Sequence, residues 1–386
     1  MLPIQLVFAV VGLSAAILAA AYAAVVIVAV IVWQLRKPGV AEAGLPPVSV
    51  LKPLCGSEPG LYEHLRSYCV QNHVQFQIIF GVRDPSDPAL EVARRLQAEM
   101  PQLDISIVAS PQQHGSNRKI SNLLNMVGHA RHDVLVMADS DTRVGPDYLA
   151  TVTAPLRRPE VGLVTCLYRG RPTPTMWSRL GAMYANQWYV PSVLLSWLFG
   201  YKGYAFGQTL ALRRDTLEAI GGLQAIADYL ADDYELGERV RRLGQKIELS
   251  PYMVEVQHHE QSLAALVNHE LRWMRTTRVL RPLSSCFIFI SFSVPLASLG
   301  LLLAASAAPA LAGAAWTLWG IAALARLALH LALRPAPGWP LLPDLWLLPL
   351  RDLLTCWIWG GSFFSYRVSW RDGEFDVRTD GVMQRR

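Results

Sequence analysis

The stretch DVLVMADSD, residues 133–141, joins a short apolar run to two aspartates placed two residues apart. Its valine and leucine residues are typical of a buried strand. In an extended segment, residues i and i+2 point to the same side, so Asp139 and Asp141 present two carboxylates to one point. Such a pair can bind a divalent cation together with phosphate oxygens. It can also form an acidic turn that bonds its own backbone, and the motif alone favours the turn.

Alternating strand and helix patterns surround this stretch over residues 46–255. Strand-like runs are VSVLKP, FQIIFGVRD, LDISIVAS and VGLVTCLY, and helical spacing occurs in YEHLRSYCV, ALEVARRLQAEM and NRKISNLLNMVGHA. This β-α-β-α order predicts an α/β domain with a mostly parallel sheet covered on both faces. Ligands of such sheets bind beyond the carboxyl ends of the strands. Asp84, Asp139 and Asp141 each follow a strand and are therefore candidate site residues.

The chain also carries apolar segments that suit a membrane. Hydrophobic residues make up 52% of the sequence, and residues 6–33 and 282–325 contain no charge. At about 20 residues per crossing, these segments are long enough for one and two membrane helices. The first has no basic residue before its apolar run and is too long for a signal peptide, which predicts a retained anchor over residues 1–35. Its first flanking charges are Arg36 and Lys37, so the following domain is expected in the cytoplasm.

The C-terminal third predicts three further parts. Residues 256–282 read as an amphipathic helix at the membrane interface, and residues 283–366 as C-terminal membrane helices. The last apolar stretch, residues 341–366, contains Asp344, Arg351 and Asp352, so it is expected to be re-entrant or interfacial. Residues 367–386 form a basic tail, predicted to be cytoplasmic.

Charge and cysteine usage exclude some classes of partner. The net charge of +5 comes largely from arginines near the apolar segments, which suits anionic lipid headgroups. No nucleic-acid motif is present, so we expect no nucleic-acid partner. The five cysteines form neither a CxxC motif nor a zinc spacing, which favours buried or membrane thiols in a reducing compartment.

Further motifs each have a structural and a functional interpretation. Asp232 and Asp233, in DYLADDYELGERVRRLG, fit a helix N-terminus or a general base. The HELRW motif contains His269, Arg272 and Trp273. It fits interfacial anchoring, or a Trp wall for an acceptor with an Arg that meets a pyrophosphate. Near the helix start in HGSNRKISNLLN, Lys119 suits a phosphate, and the alternative is ordinary capping by Ser116 or Asn117. A loop that could line a pocket contains Gly207 and Gln208.

In chain order, the motifs GVRDPSDPA, ADSDTRV, GQTLALRR, ADDYELG and RW resemble family-2-type inverting glycosyltransferases with a GT-A domain, whose signature is D, DxD, (E/D)D and (Q/R)xxRW. The closer likeness is to the ceramide glucosyltransferase group. Within it, GSNRKISNL, GLVTCLYRG and HELRWMRT look most like bacterial hopanoid-biosynthesis-associated glycosyltransferases. The resemblance covers residues 46–282 and implies an integral protein of the bacterial inner membrane.

The resemblance implies roles residue by residue. Asp84 matches the aspartate that contacts the uracil, Asp139 the nucleotide side of DxD, and Asp141 the metal, with Asp139 a possible second ligand. Asp233 matches the catalytic base, with Asp232 in place of the more usual Glu. The remaining candidates for nucleotide-sugar binding are Lys52, Lys119, Gly207, Gln208, Arg272 and Trp273. His269 stands where the wider family has Gln or Arg, which leaves its role open.

The implied reaction is an inverting transfer from a UDP-sugar to a membrane lipid hydroxyl, with Mg²⁺ or Mn²⁺ as the cofactor. The first hypothesis is N-acetylglucosamine from UDP-GlcNAc to a hopanoid such as bacteriohopanetetrol. The alternative is glucose from UDP-Glc to ceramide or diacylglycerol. An alternative of another class is an inactive, membrane-anchored protein that binds nucleotide sugars. The aromatic segment of residues 176–206 is too interrupted for a clear span and is expected to lie at the interface and line the acceptor entrance.

Overall fold

A computed structural model describes residues 4–36, 44–334, 339, 342–370, 373–378 and 381–385. Its contacts divide the chain into two compact units, each of which is discontinuous in sequence. The helical unit contains the described residues among 1–36, 170–200 and 258–372. The sheet unit contains those among 37–169, 201–257 and 373–386.

The strands are β1 (Val48–Pro53), β2 (Phe76–Val82), β3 (Asp104–Ala109), β4 (Val134–Met137), β5 (Thr142–Arg143), β6 (Val161–Pro172), β7 (Leu210–Arg213), β8 (Lys246–His258), β9 (Arg367–Trp370), β10 (Gly373–Val377) and β11 (Met383–Arg385). The helices are α1 (Ile4–Gln34), α2 (Leu61–Cys69), α3 (Ala89–Glu99), α4 (Arg118–Val127), α5 (Tyr148–Thr153), α6 (Met176–Tyr184), α7 (Val190–Leu198), α8 (Arg214–Ala219), α9 (Asp232–Arg242), α10 (Leu263–Leu280), α11 (Pro282–Cys286), α12 (Ser293–Ala307), α13 (Ala312–Ala332), α14 (Leu342–Leu345) and α15 (Leu347–Ser362).

The main sheet has the strand order β3-β2-β1-β4-β7-β6-β8-β5. Strands β3, β2, β1 and β4 are mutually parallel, which confirms the predicted parallel core. Strand β7 runs antiparallel to both β4 and β6, and β5 runs antiparallel to β8. Every residue of β1 and β4 is buried, as expected of strands covered on both faces.

The register aligns the carboxyl ends of the parallel strands. Leu51 of β1 pairs with Met137 of β4, and Pro53 pairs with Gly81 of β2. Asp139 and Asp84 therefore emerge from one edge of the sheet, as the sequence predicts. Beneath this edge lies a core of aliphatic side chains from β1, β2, β4, β6, β7 and helices α4, α8 and α9.

The helical unit contains the candidate membrane spans. Two helical segments are long and apolar enough to cross a membrane, Ile4–Gln34 and Pro309–Ala332. Pro282–Ser291 and Ser293–Ala307 form a pair bent by 69°, which gives a third span if the pair is one crossing. These segments agree with the prediction of one membrane helix in residues 6–33 and two in residues 282–325. Gly12 and Gly300 allow α1 and α12 to touch, because a Cβ at Gly12 would lie 2.6 Å from the backbone nitrogen of Ala304.

The aromatic segment is more regular than the sequence predicts. Helices α6 and α7 follow one another through a π-helical turn over Ala185–Tyr189, so residues 176–198 are helical without a break. Among the described residues, the segment is not one of the candidate membrane spans, which agrees with the prediction that it is no clear span. The Asn186 side chain explains part of this order, because its amide both donates to and accepts from the backbone of Gly170 at 2.9 and 2.8 Å.

The three charges of the last apolar stretch are all paired. Arg351 forms a bidentate pair with Glu270, and Asp352 bonds Arg326 at 2.9 Å. Asp344 accepts from Nε of Arg179 at 2.7 Å. From the sequence alone, these charges argue against an ordinary membrane span. Their partners explain how the chain can bury them.

Segments near the predicted boundaries also take definite positions. Residues 170–200, inside the predicted 46–255 domain, group with the helical unit. Within the predicted basic tail, β10 and β11 pair as an antiparallel hairpin, and Leu230 donates to the carbonyl of Gly381 in the sheet unit. Arg371 and Arg386 of that tail lie outside the described residues. The five cysteines are free thiols, and Cys55 is exposed instead of buried as expected.

Candidate active site

The turn that contains Asp139 and Asp141 is held from below by a buried lysine. Lys52 is completely buried, and its ammonium donates to the backbone carbonyl of Asp139 and to Oγ1 of Thr142 at 3.0 Å. The ring of Tyr68 lies 3.9 Å from the same ammonium. Burial lowers the pKa of Lys52 to about 7, while Asp141 and Asp139 oppose this shift. This placement favours support of the turn over the predicted contact between Lys52 and the nucleotide sugar.

Above the turn, one lysine meets three aspartates, and we call these four residues the lysine-centred cluster: Lys119, Asp139, Asp232 and Asp233. The ammonium of Lys119 lies 2.6 Å from Asp139 and 3.6 Å from Asp232. Burial alone would lower the pKa of Lys119, but the nearby carboxylates outweigh it and raise that pKa. The structure thus brings residues from three distant motifs to one point.

Asn117 fixes the position of Lys119. Its side-chain oxygen accepts hydrogen bonds from the backbone nitrogens of Lys119 and Ile120 at 2.9 and 3.1 Å, which caps α4. Its amide nitrogen donates to Asp232 at 3.2 Å. The sequence pattern includes capping as an alternative, and Asn117 is the residue that does it. The same cap also orients the acidic pair, a link that no sequence pattern indicates.

Asp233 lies at the start of α9, where the loop of Gly207 reaches it. The backbone nitrogen of Gly207 donates to Oδ2 of Asp233 at 2.9 Å, and the nitrogen of Tyr234 donates to Oδ1 at 2.8 Å. A Cβ at Gly207 would lie 2.9 Å from the ammonium of Lys119, so a side chain there would disturb the cluster. Gly207 therefore allows the backbone to approach these charges.

The acidic pair of α9 has altered proton affinity. The pKa of Asp233 is raised to about 6, mainly by burial and also by the charge of Asp232, while Lys119 opposes both effects. The pKa of Asp232 is also raised, mainly by burial and against the effect of Lys119. A carboxylate whose pKa lies near neutrality can accept a proton during a reaction and is a candidate general base.

The other predicted residues of the sheet unit lie at its edge with looser contacts. Asp84 is exposed after β2, and Oδ1 accepts from the backbone and hydroxyl of Ser86 at 2.8 and 2.7 Å. Gln208 is half-buried beside Gly207. Asp141 is half-buried in the turn, and its carbonyl accepts from the nitrogen of Gln257 at 3.3 Å.

The donor set of the turn fits a divalent cation that shares its ligands with phosphates. Carboxylate oxygens suit Mg²⁺ and Mn²⁺, and three carboxylates around Lys119 leave the cluster with excess negative charge. Among the described residues, no three His, Cys, Asp or Glu side chains are grouped to hold a metal ion. The two turn carboxylates would therefore need phosphate oxygens to complete the ligand set.

The HELRW motif lies in the helical unit, on α10. Trp273 stacks on Tyr184 with ring centroids 5.7 Å apart, and the ring of His269 lies 4.1 Å from that of Trp273. Nδ1 of His269 is 3.0 Å from Oε1 of Glu260. Arg272 is half-buried on the same helix. Sequence reasoning missed Glu260, since nothing in its surroundings shows that it folds back onto a histidine nine residues later.

A mixed sheet with an acidic turn and an acidic helix start beyond its parallel strands defines a GT-A-type glycosyltransferase fold. The chain belongs to glycosyl transferase family 21, whose model matches residues 12–383. This membership confirms the predicted class of enzyme and the likeness to ceramide glucosyltransferases. The closer likeness to hopanoid-associated enzymes stays a prediction.

Curated relatives agree with this family, and a solved structure agrees with the fold. The chain is 23% identical to ceramide glucosyltransferase 3 of Caenorhabditis elegans, over 66% of this chain and 57% of that protein. It is 24% identical to ceramide glucosyltransferase 1 of the same organism, over 65% and 54%. The chain thus spans little more than half the length of these relatives. A mannosyltransferase from Pyrobaculum calidifontis, solved with GDP-Man and Mn²⁺, has the same fold, with a TM-score of 0.51 and 20% identity over 92% of this chain and 99% of that one.

Proposed function

We propose that this protein transfers glucose from UDP-glucose to the hydroxyl of a ceramide-type membrane lipid, with inversion at the anomeric carbon. Family membership and the names of the relatives favour this substrate pair over the hopanoid hypothesis. Diacylglycerol and a hopanoid such as bacteriohopanetetrol, with UDP-GlcNAc as the donor, remain competing outcomes of the test. Arg36 and Lys37, which flank the first apolar segment, favour a cytoplasmic position for the catalytic unit.

The observation that carries the proposal is the environment of Asp233. Its carboxylate is held by two backbone donors, and burial beside Asp232 raises its pKa to about 6. In the reaction, the lipid hydroxyl oxygen bonds to the anomeric carbon while the bond from that carbon to the UDP oxygen breaks. The hydroxyl proton passes to Asp233, and UDP leaves with the bonding electron pair. Single displacement of this kind converts an α-linked donor into a β-glycoside.

The other members of the cluster would position and stabilise the donor. Asp141, with Asp139, is suited to hold Mg²⁺ or Mn²⁺, which when bound neutralises charge on the diphosphate. Lys119 holds Asp139 and Asp232 in position through its ion pairs. Asp84, which follows β2, would contact the base of the nucleotide, as the family resemblance implies. We assign Lys52 to support of the turn because it is completely buried.

The proposal is tested by a donor-by-acceptor screen with purified full-length protein in lipid nanodiscs. UDP-glucose, UDP-galactose and UDP-GlcNAc are each offered with ceramide, diacylglycerol and bacteriohopanetetrol, and products are identified by mass spectrometry. We expect glucosylceramide as the main product and its loss in Asp233→Asn. Transfer of GlcNAc to the hopanoid alone would overturn the substrate assignment. UDP binding without any transfer would instead favour a binding protein.

Asp133→Asn is the matched control for this screen. Asp133 precedes β4 at the opposite end of the strand from Asp139, and its side chain is 94% exposed. Its loss should leave turnover unchanged. If both variants lose activity equally, the assignment of Asp233 as base is wrong.

A further inference from the structure

Two histidines share one carboxylate oxygen in the helical unit. Oε1 of Glu260 lies 3.0 Å from Nδ1 of His269 and 3.4 Å from Nδ1 of His258. An ionised carboxylate can only accept hydrogen bonds, so each of these ring nitrogens carries the hydrogen. In a neutral imidazole, the other nitrogen, Nε2, then presents a lone pair. The geometry therefore fixes the tautomer of His269 and makes its outer nitrogen an acceptor.

The charge states agree with this geometry. Burial alone would raise the pKa of Glu260, but the bonds from His258 and His269 outweigh it and hold that pKa well below its usual range. Burial lowers the pKa of His269; Glu260 opposes this shift, and the positive charge of Arg272 adds to it. Glu260 is thus ionised and His269 neutral at pH 7.

Close packing keeps the carboxylate and His258 in place. A Cβ at Gly181 would lie 3.0 Å from Oε2 of Glu260 and 3.0 Å from Nδ1 of His258, so any larger residue there would have to displace these side chains. The hydroxyl of Thr175 donates to the carbonyl of Glu260 at 2.7 Å, which fixes its backbone. A carboxylate held this tightly is able to orient the imidazole that bonds to it.

His269 differs from its two partners in exposure. Its side chain is 34% exposed, whereas those of His258 and Glu260 are 3% and 8% exposed. No protein group in the described part of the chain bonds Nε2 of His269. The same helix face carries Trp273, whose ring lies against that of His269. An acceptor on a partly exposed side chain, next to an aromatic ring, suits a ligand that brings an O–H donor.

We propose that Nε2 of His269 accepts a hydrogen bond from a substrate hydroxyl and that Glu260 is the positioning residue that holds His269 for this contact. This inference rests on the proposed function in that the hydroxyl belongs either to the lipid acceptor or to the donor sugar. A diphosphate, which has no hydrogen to donate at neutral pH, is not the partner of this nitrogen. The motif position occupied by Gln or Arg in the wider family thus recognises a hydroxyl here.

Two amide variants separate the inner and outer nitrogens of His269. Asn places its amide near the position of Nδ1 and keeps a donor for Glu260, whereas Gln places its amide near Nε2 and keeps an outer acceptor. His269→Asn should lower kcat/KM about tenfold, the value of one good hydrogen bond, and His269→Gln should lower it less. His259→Asn, which changes the exposed neighbouring histidine, is the control and should match wild type.

Substrates that lack single hydroxyls identify the partner. A ceramide analogue without its secondary hydroxyl and a set of deoxyglucose nucleotides are compared in wild type and in His269→Asn. For wild type, kcat/KM should be about tenfold lower with the analogue that lacks the contacted hydroxyl than with the complete substrate. For His269→Asn, the two substrates should give almost the same kcat/KM, because the two changes remove the same bond. In Glu260→Gln, the difference in kcat/KM between the complete substrate and this analogue should be smaller than in wild type. Equal losses in wild type and variant for every analogue would overturn the proposal.

The tautomer is measured separately from turnover. Nitrogen-15 NMR of histidine-labelled protein should show His269 with its hydrogen on Nδ1 at pH 7 and a mixed tautomer in Glu260→Gln. A hydrogen on Nε2, or an imidazolium at pH 7, would overturn the inference even in an active enzyme. Absence of lipid transfer in wild type would contradict the proposed function and leave this NMR result to decide the inference.

Discussion

The ion pairs of the helical unit and the lysine-centred cluster of the sheet unit bury charge in opposite ways. Arg351 and Glu270 match one to one through two bonds of 2.7 and 2.8 Å, and their side chains are 2% and 1% exposed. Nε of the arginine donates to Thr355 at 3.0 Å, so most of its donors are used within the protein. Lys119, in contrast, is shared by three carboxylates.

The difference indicates what each arrangement is for. A matched, fully bonded pair gains nothing from a ligand, so its role is to hold helices together. An excess of negative charge at the edge of a sheet is a cost in the free protein that a bound cation can offset. Substitutions in the ion pairs of the helical unit should therefore change stability. Substitutions in the lysine-centred cluster should change activity.

The largest expected effect is that of Asp233→Asn. Loss of the general base should lower kcat by about 10² to 10⁴-fold, the usual contribution of such a group. The folded state should be as stable as wild type or more so, because the repulsion between Asp233 and Asp232 is removed. The measurement is initial rate of lipid glycosylation together with thermal unfolding of the same preparation. A variant that loses activity only because it unfolds would break the comparison.

Glu270→Ala tests the opposite arrangement. It leaves the guanidinium of Arg351 buried without its partner, which should cost about 3–5 kcal/mol of unfolding free energy. Denaturant unfolding followed by tryptophan fluorescence measures this change. The control is Asp104→Ala, which removes the exposed pair with Arg131 and should cost about 0–1 kcal/mol. Equal losses in the two variants would show that burial does not set the strength of these pairs.

The same comparison explains what the sequence can predict. Strand β4 is visible as a continuous apolar run and β1 as a short run with β-branched residues. The alternation of strands with helices fixes the edge at which Asp84 and Asp139 emerge. Helix α9 is visible because acidic residues form its first turn and Gly244, with a φ of 77°, follows its end. These features depend on local composition, which the sequence displays directly.

Contacts between distant segments are not visible in this way. The sequence shows Lys52 as a strand residue that could reach a ligand. Only the fold shows that its buried ammonium bonds the turn of Asp139. Asn117 and Asp232 are 115 residues apart, and their bond depends on how α4 and α9 approach each other. The pairs of Asp344, Arg351 and Asp352 are invisible for the same reason. The sequence shows these charges as obstacles to a span, because their partners come from other helices.

The pH dependence of the rate gives a third test. Asp233 must be deprotonated to accept the hydroxyl proton, and its pKa is raised to about 6. Because its protonated fraction grows as pH falls, kcat/KM should drop about tenfold per pH unit below pH 6 and level off above it. Rates between pH 5 and 8, with enzyme held at each pH and reassayed at pH 7, check this. A midpoint near pH 4 would mean that burial and the charge of Asp232 do not raise the pKa of Asp233.

The smallest expected effect is that of Gly207→Ala, which disturbs the cluster without removing a charge. The added Cβ would lie 2.9 Å from the ammonium of Lys119 and 3.4 Å from Oδ2 of Asp139. The end of a lysine side chain can shift by tenths of an ångström at little cost in stability. Such a shift moves the carboxylates bonded to it, and we expect at most about a tenfold loss of kcat with unchanged thermal unfolding.

Gly128→Ala is the control for this prediction, because a Cβ there meets no atom within 4 Å. It should affect neither rate nor stability. If Gly207→Ala also leaves the rate unchanged, the cluster tolerates displacement, and the position of Lys119 does not limit the reaction. If it lowers unfolding free energy as much as Glu270→Ala does, the cluster is a structural element like the ion pairs of the helical unit, and the distinction between the two arrangements fails.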